Sequence, residues 1–288
     1  RNRHSSRPGA ASSTASSTAS LLLAVIAGVV LLTAGECAKL GKGGSAISPF
    51  IVGGDDADLG QFPELVSIQA GYGDTEYQHL CGGFLIDQQW VLTAGHCLDQ
   101  VDPAALTILA GTVDLASPAS TAIRVPIAGY EIHEDYDPDA ATLPHDIALI
   151  NLASPIALND NVLVASLQNV SPKDGDLVTV AGWGQTNNDL VVSSNTLEYT
   201  NLNVLSRTAC QAPLQGYATI RDDQICAAAT SGLHAECKGD SGGALFADGF
   251  VVGIVSWSKK PCGSYPGVFT SIPKHYSWIR DKSGLENL

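Results

Sequence analysis

Three residue types, placed in order along this sequence, could together attack a carbonyl group. Ser241 lies in the segment CKGDSGG at 237–243, between glycines that allow a tight turn. A serine hydroxyl is a good nucleophile only where a base takes its proton and backbone N–H groups stabilise the oxyanion that forms. His96 in TAGHC could be that base, and Asp146 in HDIAL could orient it. The sequence therefore predicts acyl-transfer chemistry through a serine.

Each of these residues also has an ordinary structural interpretation. A single histidine is more often structural, but His96 follows the apolar run WVLTA and precedes Cys97, which places it on a turn at a strand end. Asp146 opens an apolar segment, and a buried carboxylate is costly unless it is paired, so we predict His96 as its partner. His145, beside Asp146, is interpreted as a loop residue. A structural role is also predicted for the remaining histidines, His4, His79, His133, His234 and His275.

Several short segments follow one another in an order that one protein family shares. They are IVGG at 51–54, CGGFLI at 81–86, TAGHC, DIAL, AGWG at 181–184, GDSGG, SW at 256–257 and PGVF at 266–269. Together they resemble the chymotrypsin/trypsin family of serine proteases over residues 51 to about 283. The resemblance implies a triad of Ser241, His96 and Asp146, with the N–H groups of Gly239 and Ser241 as the oxyanion hole.

The implied fold is all-β, with two antiparallel Greek-key β-barrels, the active site in the cleft between them and a short C-terminal helix. The residue pattern agrees, because short β-type runs separated by Gly, Asp, Asn and Pro favour a sandwich or barrel over βαβ units. The runs are 64–69, 84–86, 90–93, 106–109, 122–127, 147–152, 177–181, 197–204 and 250–256. Residues 273–281 predict a helix with proline at its start. We assign the protease domain to 51–288, with barrels at about 51–160 and 161–288.

The residues before 51 are predicted to be processed away. Residues 1–20 have the composition of a non-native or disordered leader, and 21–35 hold a 12-residue apolar run of the length of a signal-peptide core. That run is short of the roughly 20 residues of a membrane span, which argues against a membrane-tethered protease. Residues 36–50 are predicted as an activation propeptide. We therefore expect a secreted, extracellular protein.

Ile51 and Asp240 are predicted to act together in activation. In the family, cleavage before the isoleucine frees an amine that becomes buried and pairs with the aspartate next to the nucleophile. A buried ammonium and carboxylate are tolerated only as a pair. Most relatives have Arg or Lys at the position of Phe50, so Phe50 indicates an activating protease of chymotrypsin-like specificity, the chain itself included.

Charge and cysteine content restrict the partners and the compartment. The net charge of -14 argues against nucleic acid or an anionic membrane as partners. Seven cysteines indicate an oxidising compartment. The resemblance implies pairs between Cys81 and Cys97, Cys210 and Cys226, and Cys237 and Cys262. This leaves Cys37 over in the segment before residue 51.

The specificity pocket has two interpretations. By resemblance, Ala235 takes the place of the aspartate that binds Arg or Lys in trypsin-like enzymes, and an open, uncharged pocket suits Phe, Tyr or Leu. Glu236 follows it, and an ionised glutamate there could accept a basic side chain or be neutralised by burial. The walls of the pocket are assigned to Ser256, Trp257, Ser258 and Gly267. Lys238, Lys259 and Lys260 form a basic rim, either merely solvated or favouring acidic residues beside the cut site.

We predict a zymogen of a secreted serine endopeptidase that cleaves after large hydrophobic or aromatic residues. The alternatives are basic specificity through Glu236, or a catalytically silent homologue that binds a partner. The expected partners are protein or peptide substrates, protease inhibitors and the activating protease, without stable membrane association. No cofactor is expected, and no metal, because the segment AGTVDLASPAS offers only Asp114 where calcium needs six or more oxygens.

Overall fold

The protein folds into two β-barrels joined side by side. The computed structural model describes residues 54–72, 76–186, 193–230 and 235–288, which belong to a compact unit spanning Ile47–Leu288. The predicted leader, signal and propeptide segments lie outside the described residues. Among the described residues, no helix is long and apolar enough to cross a membrane.

The first barrel closes from six antiparallel strands. They are β2 (Leu65–Tyr72), β3 (Glu76–Leu85), β4 (Trp90–Thr93), β5 (Leu106–Ala110), β6 (Ile123–Ile132) and β7 (Ala148–Leu152), paired in the ring order β2-β3-β4-β7-β6-β5. A short strand, β1 (Asp55–Asp56), precedes them and pairs with the second barrel instead. Apolar side chains from facing strands fill the interior, and Ile68, Phe84 and Leu149 are fully buried. Enclosure on all sides leaves no open strand edge in the ring.

The second barrel repeats this architecture. Its strands are β8 (Leu177–Gly182), β9 (Glu198–Leu205), β10 (Gln224–Ala228), β11 (Ala244–Ala247), β12 (Phe250–Ser258) and β13 (Gly267–Ser271), paired in the ring order β8-β9-β10-β13-β12-β11. Residues 153–176 connect the two barrels. The prediction of an all-β fold with two barrels is therefore confirmed. The expected runs correspond to strands, whereas β1, β10, β11 and β13 are additional to them.

Two α-helices accompany the strands in the described part of the chain. Helix α1 (Arg207–Leu214) begins at Ser206, whose Oγ accepts from the N–H of Ala209 at 3.1 Å, an ordinary N-cap. Helix α2 (Ile272–Ser283) is the expected C-terminal helix and ends at Gly284, which has a φ of 72°. Its Trp278 donates to Glu134, at 2.8 Å, so the helix reaches the first barrel's loops as well as the second barrel that it follows.

Candidate active site

His96 and Asp146 meet because the strands that carry them are paired. β4 leads into the short 3-10 helix Gly95–Cys97, and β7 begins just after Asp146, with Thr93 opposite Ala148 in the ladder. The Nδ1 atom of His96 lies 2.8 Å from Oδ2 of Asp146, and the backbone N–H of His96 donates to Oδ1, also at 2.8 Å. A disulfide from Cys97 to Cys81 on β3 holds the histidine turn.

The environment of Asp146 sets the tautomer of His96. The carboxyl group is fully buried, and its Oδ2 also accepts from the hydroxyl of Ser256 at 2.6 Å. Ser256 is the extra residue at a register shift between Val255 and Trp257, which turns its side chain out of the β12 ladder. Because a carboxylate only accepts hydrogen bonds, Nδ1 of His96 carries the proton. In this tautomer Nε2 carries the lone pair that a general base requires.

The loop that carries Ser241 comes from the second barrel and is fastened to the first. The N–H of Gly82 on β3 donates to the carbonyl of Ser241 at 2.8 Å. Gly242, with a φ of 79°, lies so close to β4 that a Cβ there would be 2.1 Å from Oγ1 of Thr93. Only glycine fits at this close approach. The structure thus brings the serine loop to the two strands that lead to His96.

Asp240 supports the same loop from inside. It is fully buried, and its two carboxylate oxygens accept from the N–H groups of Gly184 at 2.7 Å and of Cys237 at 2.8 Å. Burial raises the pKa of Asp240 to about 6, against the lowering effect of these two bonds. Its predicted partner, Ile51, and the adjoining Phe50 lie outside the described residues.

His79, which was predicted to be merely structural, contacts the loop that carries Gly239 and Ser241. Its Nε2 lies 2.9 Å from the carbonyl oxygen of Gly239, and its Nδ1 lies 2.7 Å from Oγ of Ser67. Since the carbonyl only accepts, Nε2 carries the proton and fixes the Gly239 peptide. Burial lowers the pKa of His79. Because 160 residues separate His79 from Gly239, no local sequence pattern could indicate this contact.

Glu236 is the unusual residue of the predicted specificity pocket. Its side chain is buried, and neither carboxylate oxygen has a hydrogen-bond partner among the described residues. A Cβ on Gly267 would lie 2.1 Å from Oε1, so the carboxyl group occupies the space beside that glycine. Burial is the main cause that raises the pKa of Glu236 to about 8. Ala235, the predicted pocket base, is also buried.

The pocket wall is braced by a disulfide and by lysines packed against it. Cys237 is bonded to Cys262, and Nζ of Lys260 lies 3.3 Å and 3.2 Å from their two sulfurs. Nζ of Lys259 lies 4.2 Å from the ring centre of Tyr265. Two of the three lysines of the predicted rim therefore contact the wall through Nζ, although Lys260, like Lys238, is exposed. The indole of Trp257 donates to the carbonyl of Thr142 at 3.1 Å.

A second disulfide of this barrel lies in a small apolar cluster against which Trp257 packs. Cys210 of α1 is bonded to Cys226 of β10, so all three described pairs are those that the resemblance implies. An open cleft of about 700 Å³ has His79 and Gly239 among its lining residues. Two cations, Arg124 and Lys238, are among the residues that line it.

Comparison with known proteins agrees with this geometry. The sequence profile described as Trypsin matches residues 51–279. Trypsin beta of Drosophila erecta is 35% identical over 257 residues, which cover 87% of this chain and 97% of the relative. Trypsin alpha of Drosophila melanogaster is 34% identical over 87% of this chain and 96% of its own length.

A solved structure of neuropsin, a serine protease expressed in the limbic system of mouse brain, superposes with a TM-score of 0.72. It is 30% identical in sequence, and the superposition covers 80% of this chain and 99% of neuropsin. The matches extend over both barrels and over the residues that surround His96, Asp146 and Ser241. The chain belongs to the trypsin family and is a serine endopeptidase, a hydrolase of peptide bonds.

Proposed function

We propose that the protein is secreted as a zymogen and hydrolyses peptide bonds through Ser241, His96 and Asp146. Nε2 of His96 takes the proton of the Ser241 hydroxyl as Oγ attacks the peptide carbonyl, and it then gives the proton to the leaving amine. Water then attacks the carbonyl of the acyl-enzyme. Nε2 of His96 takes a proton from this water and gives it to Oγ of Ser241, which leaves as a hydroxyl. Asp146 keeps the ring oriented and stabilises the imidazolium. The observation that carries the proposal is the 2.8 Å contact between Nδ1 of His96 and the buried Asp146.

The N–H groups of Gly239 and Ser241 stabilise the oxyanion of the tetrahedral intermediate. Three contacts support this role by fixing the turn on which both groups lie. His79 holds the Gly239 carbonyl, Asp240 holds the Cys237 N–H, and Gly82 holds the Ser241 carbonyl. Donors fixed before the reaction need no reorganisation when charge develops, and losing one typically costs about 10²–10³ in rate.

Activation proceeds by cleavage between Phe50 and Ile51. The new Ile51 ammonium then pairs with Asp240 and supplies a positive counter-charge, which no described residue provides for this buried carboxylate. The raised pKa of Asp240 supports this step, because burial without a cation disfavours the ionised form. Three disulfides support passage through an oxidising compartment, and the apolar run at 21–32 has the length of a signal-peptide core. Because this run is shorter than a membrane span, it argues against lasting membrane attachment.

The surroundings of Glu236 favour cleavage after Lys or Arg over cleavage after Phe, Tyr or Leu. A buried carboxylate without a partner is costly, and a basic substrate side chain would supply both charge and hydrogen-bond donors. An aromatic side chain would desolvate the same group without compensation. The relatives named trypsin also support this choice. It replaces the hydrophobic preference that Ala235 alone suggests.

Cleavage-site profiling tests these proposals together. The chain is cleaved after Phe50, its new N-terminus at Ile51 is verified, and it is offered a mixed peptide library, with Ser241→Ala as the control. We expect cuts after Lys and Arg, abolished in the control, and covalent labelling of Ser241 by a phosphonylating probe. Cuts after Phe, Tyr or Leu would contradict this choice and support hydrophobic specificity. A folded, correctly cleaved chain that neither cuts nor becomes labelled would be a silent homologue.

A further inference from the structure

Three histidines that are distant in sequence meet beside the catalytic aspartate. His133 follows β6, His145 immediately precedes Asp146, and His275 lies in α2. One ring nitrogen of each lies within 4.8 Å of those of the other two. All three were predicted to be structural, and the expectation of no metal concerned the calcium ligands around Asp114. Separations of 12 and 130 residues between the histidines give no recognisable ligand spacing.

The positions of two nitrogens resemble neighbouring ligands of a zinc ion. Nδ1 of His145 and Nε2 of His275 lie 3.1 Å apart. Tetrahedral zinc with bonds of 2.0–2.1 Å has ligand atoms about 3.3 Å apart. Nδ1 of His275 lies 2.8 Å from the carbonyl of Ser271, to which it donates, and this is the kind of partner that fixes a metal-binding imidazole. Oδ2 of Asp223 lies 3.6 Å from Nδ1 of His145 and could complete the coordination.

We propose that His133, His145 and His275 bind a divalent transition-metal ion of the zinc type, and that the bound ion lowers proteolytic activity through Asp146. Imidazole nitrogens suit zinc, copper and nickel, whereas calcium and magnesium require oxygen ligands. Without the ion, the proton on Nδ1 of His145 forms the hydrogen bond to Nε2 of His275. The ion takes the place of this proton, which moves to Nε2 of His145. The activity effect rests on the proposed protease function, whereas the metal site itself does not.

Binding requires modest movement at the exposed side of the cluster. The rings of His133 and His145 are stacked, with centroids 4.7 Å apart and an angle of 14° between their planes. Parallel rings direct their lone pairs to different points, so the half-buried His133 must turn towards the ion. When it turns, Nδ1 of His133 loses the hydrogen bond that it accepts from the N–H of Asp135 at 3.1 Å, on an exposed turn. Arg221, whose Nη2 is 3.4 Å from Nε2 of His145, must also turn aside.

The segment that carries His145 connects the site to catalysis. His145 has a φ of 51°, an unfavourable conformation for a residue other than glycine, which the surrounding contacts must maintain. Its N–H donates to Asp223 at 3.1 Å, and the next residue is Asp146. A shift of His145 towards an ion therefore displaces the carboxylate that orients His96. Thr142, in the same segment, accepts from Trp257 of the pocket wall.

Binding is measured with zinc chloride and the full chain carrying Ser241→Ala, by equilibrium dialysis and metal analysis. We expect one bound zinc per chain, and no competition from magnesium or calcium. His133→Gln and His145→Asn each remove one ligand, and asparagine tolerates the positive φ. Each should weaken zinc binding by more than the 10–100-fold typical for loss of a ligand's hydrogen-bonded partner. The matched control, Asp135→Asn with Asp137→Asn, removes nearby carboxylates and should bind zinc as tightly as the parent.

Inhibition is measured on the chain cleaved after Phe50, with each variant compared to its own activity without zinc. We expect activity to fall at the zinc concentration that fills the site, to recover with a chelator, and to resist zinc in the two histidine variants. Zinc affinity unchanged by both substitutions would overturn the site. Inhibition at an unchanged midpoint in both variants would mean that zinc acts at His96 and would overturn the link. Failure of the parent chain to bind zinc would refute the site whatever the chain cleaves, and absence of cleavage would refute the protease function whatever the chain binds.

Discussion

Glu236 has a carboxyl group in surroundings that disfavour its ionised form. It is buried, its carboxylate has no hydrogen-bond partner within the described part of the chain, and the charge of a second buried acid, Asp240, adds to the effect of desolvation. Its pKa of about 8 in the folded chain compares with an ordinary value near 4.5. Because the folded-state pKa is raised, the unfolded chain ionises first. The free energy of unfolding therefore falls as pH rises from about 4.5 to about 8 and carries the full penalty above that range.

Glu236→Gln should therefore stabilise the protein at alkaline pH. We expect a higher melting temperature than the parent at pH 9, from a gain of a few kcal/mol on the basis of roughly 1.4 kcal/mol per pKa unit, and little change at pH 4. Thermal unfolding at both pH values measures this. Glu286→Gln makes the same chemical change at an exposed position and should alter neither. An equal shift at both pH values would contradict a titrating Glu236.

The same substitution tests the pocket. On a substrate with Arg before the cut, kcat/KM should rise as pH passes about 8, because the carboxylate is needed to bind the cation, and kcat/KM reports groups of the free enzyme. Glu236→Gln should remove this rise and lower kcat/KM on the order of 10²-fold, as expected for loss of one partner of a buried charge pair. A Phe substrate should lose far less. Equal losses on both substrates would place Glu236 outside substrate recognition.

At the scale of elements, the site depends on how strand ends approach one another. Strands such as β7 and β9 could be predicted from their apolar residues, whereas β10 and β11 could not, because their short alanine-containing runs resemble loops. The turn with His96 and the loop with Ser241 could be located in the sequence because a short motif surrounds each, and the catalytic roles of these residues stay predictions. The contact of His79 with Gly239 and the register shift at Ser256 could not, since both follow from the packing of distant segments.

The end of β8 shows how little room these approaches leave. A Cβ on Gly184 would lie 2.3 Å from Oδ2 of Asp240, so Gly184→Ala should push that carboxylate away from the turn that holds Gly239 and Ser241. We expect kcat/KM to fall by about 10² or more, as for loss of an oxyanion donor. Gly129→Ala, where no atom lies within 4 Å of the new Cβ, is the control. Circular dichroism verifies folding. Activity equal to that of Gly129→Ala would contradict the crowding argument.

At the scale of the whole molecule, the two barrels are joined at Asp146, the proposed partner of His96, and at the residue before it. Asp146 of the first barrel accepts from Ser256 of the second, and its carbonyl accepts from Oγ1 of Thr270 at 2.8 Å. The N–H of His145 also donates across to the second barrel, to Oδ2 of Asp223 just before β10. These contacts span 78 to 124 residues of sequence. The relative position of the barrels, and with it the distance over which a proton moves, depends on them.

Cleavage after Phe50 should stabilise the whole molecule. Burial raises the pKa of Asp240 from 3.8 to about 6, so its ionised form destabilises the folded, uncleaved chain above that pH. An Ile51 ammonium would offset this penalty. At pH 7.5 we expect the cleaved chain, carrying Ser241→Ala against self-digestion, to melt several degrees higher, at roughly 2–4 °C per kcal/mol. Calorimetry at pH 4.5, where Asp240 is protonated, should show a smaller difference. Adding Asp240→Asn should remove the gain at pH 7.5, and a gain that survives this substitution would exclude the pairing.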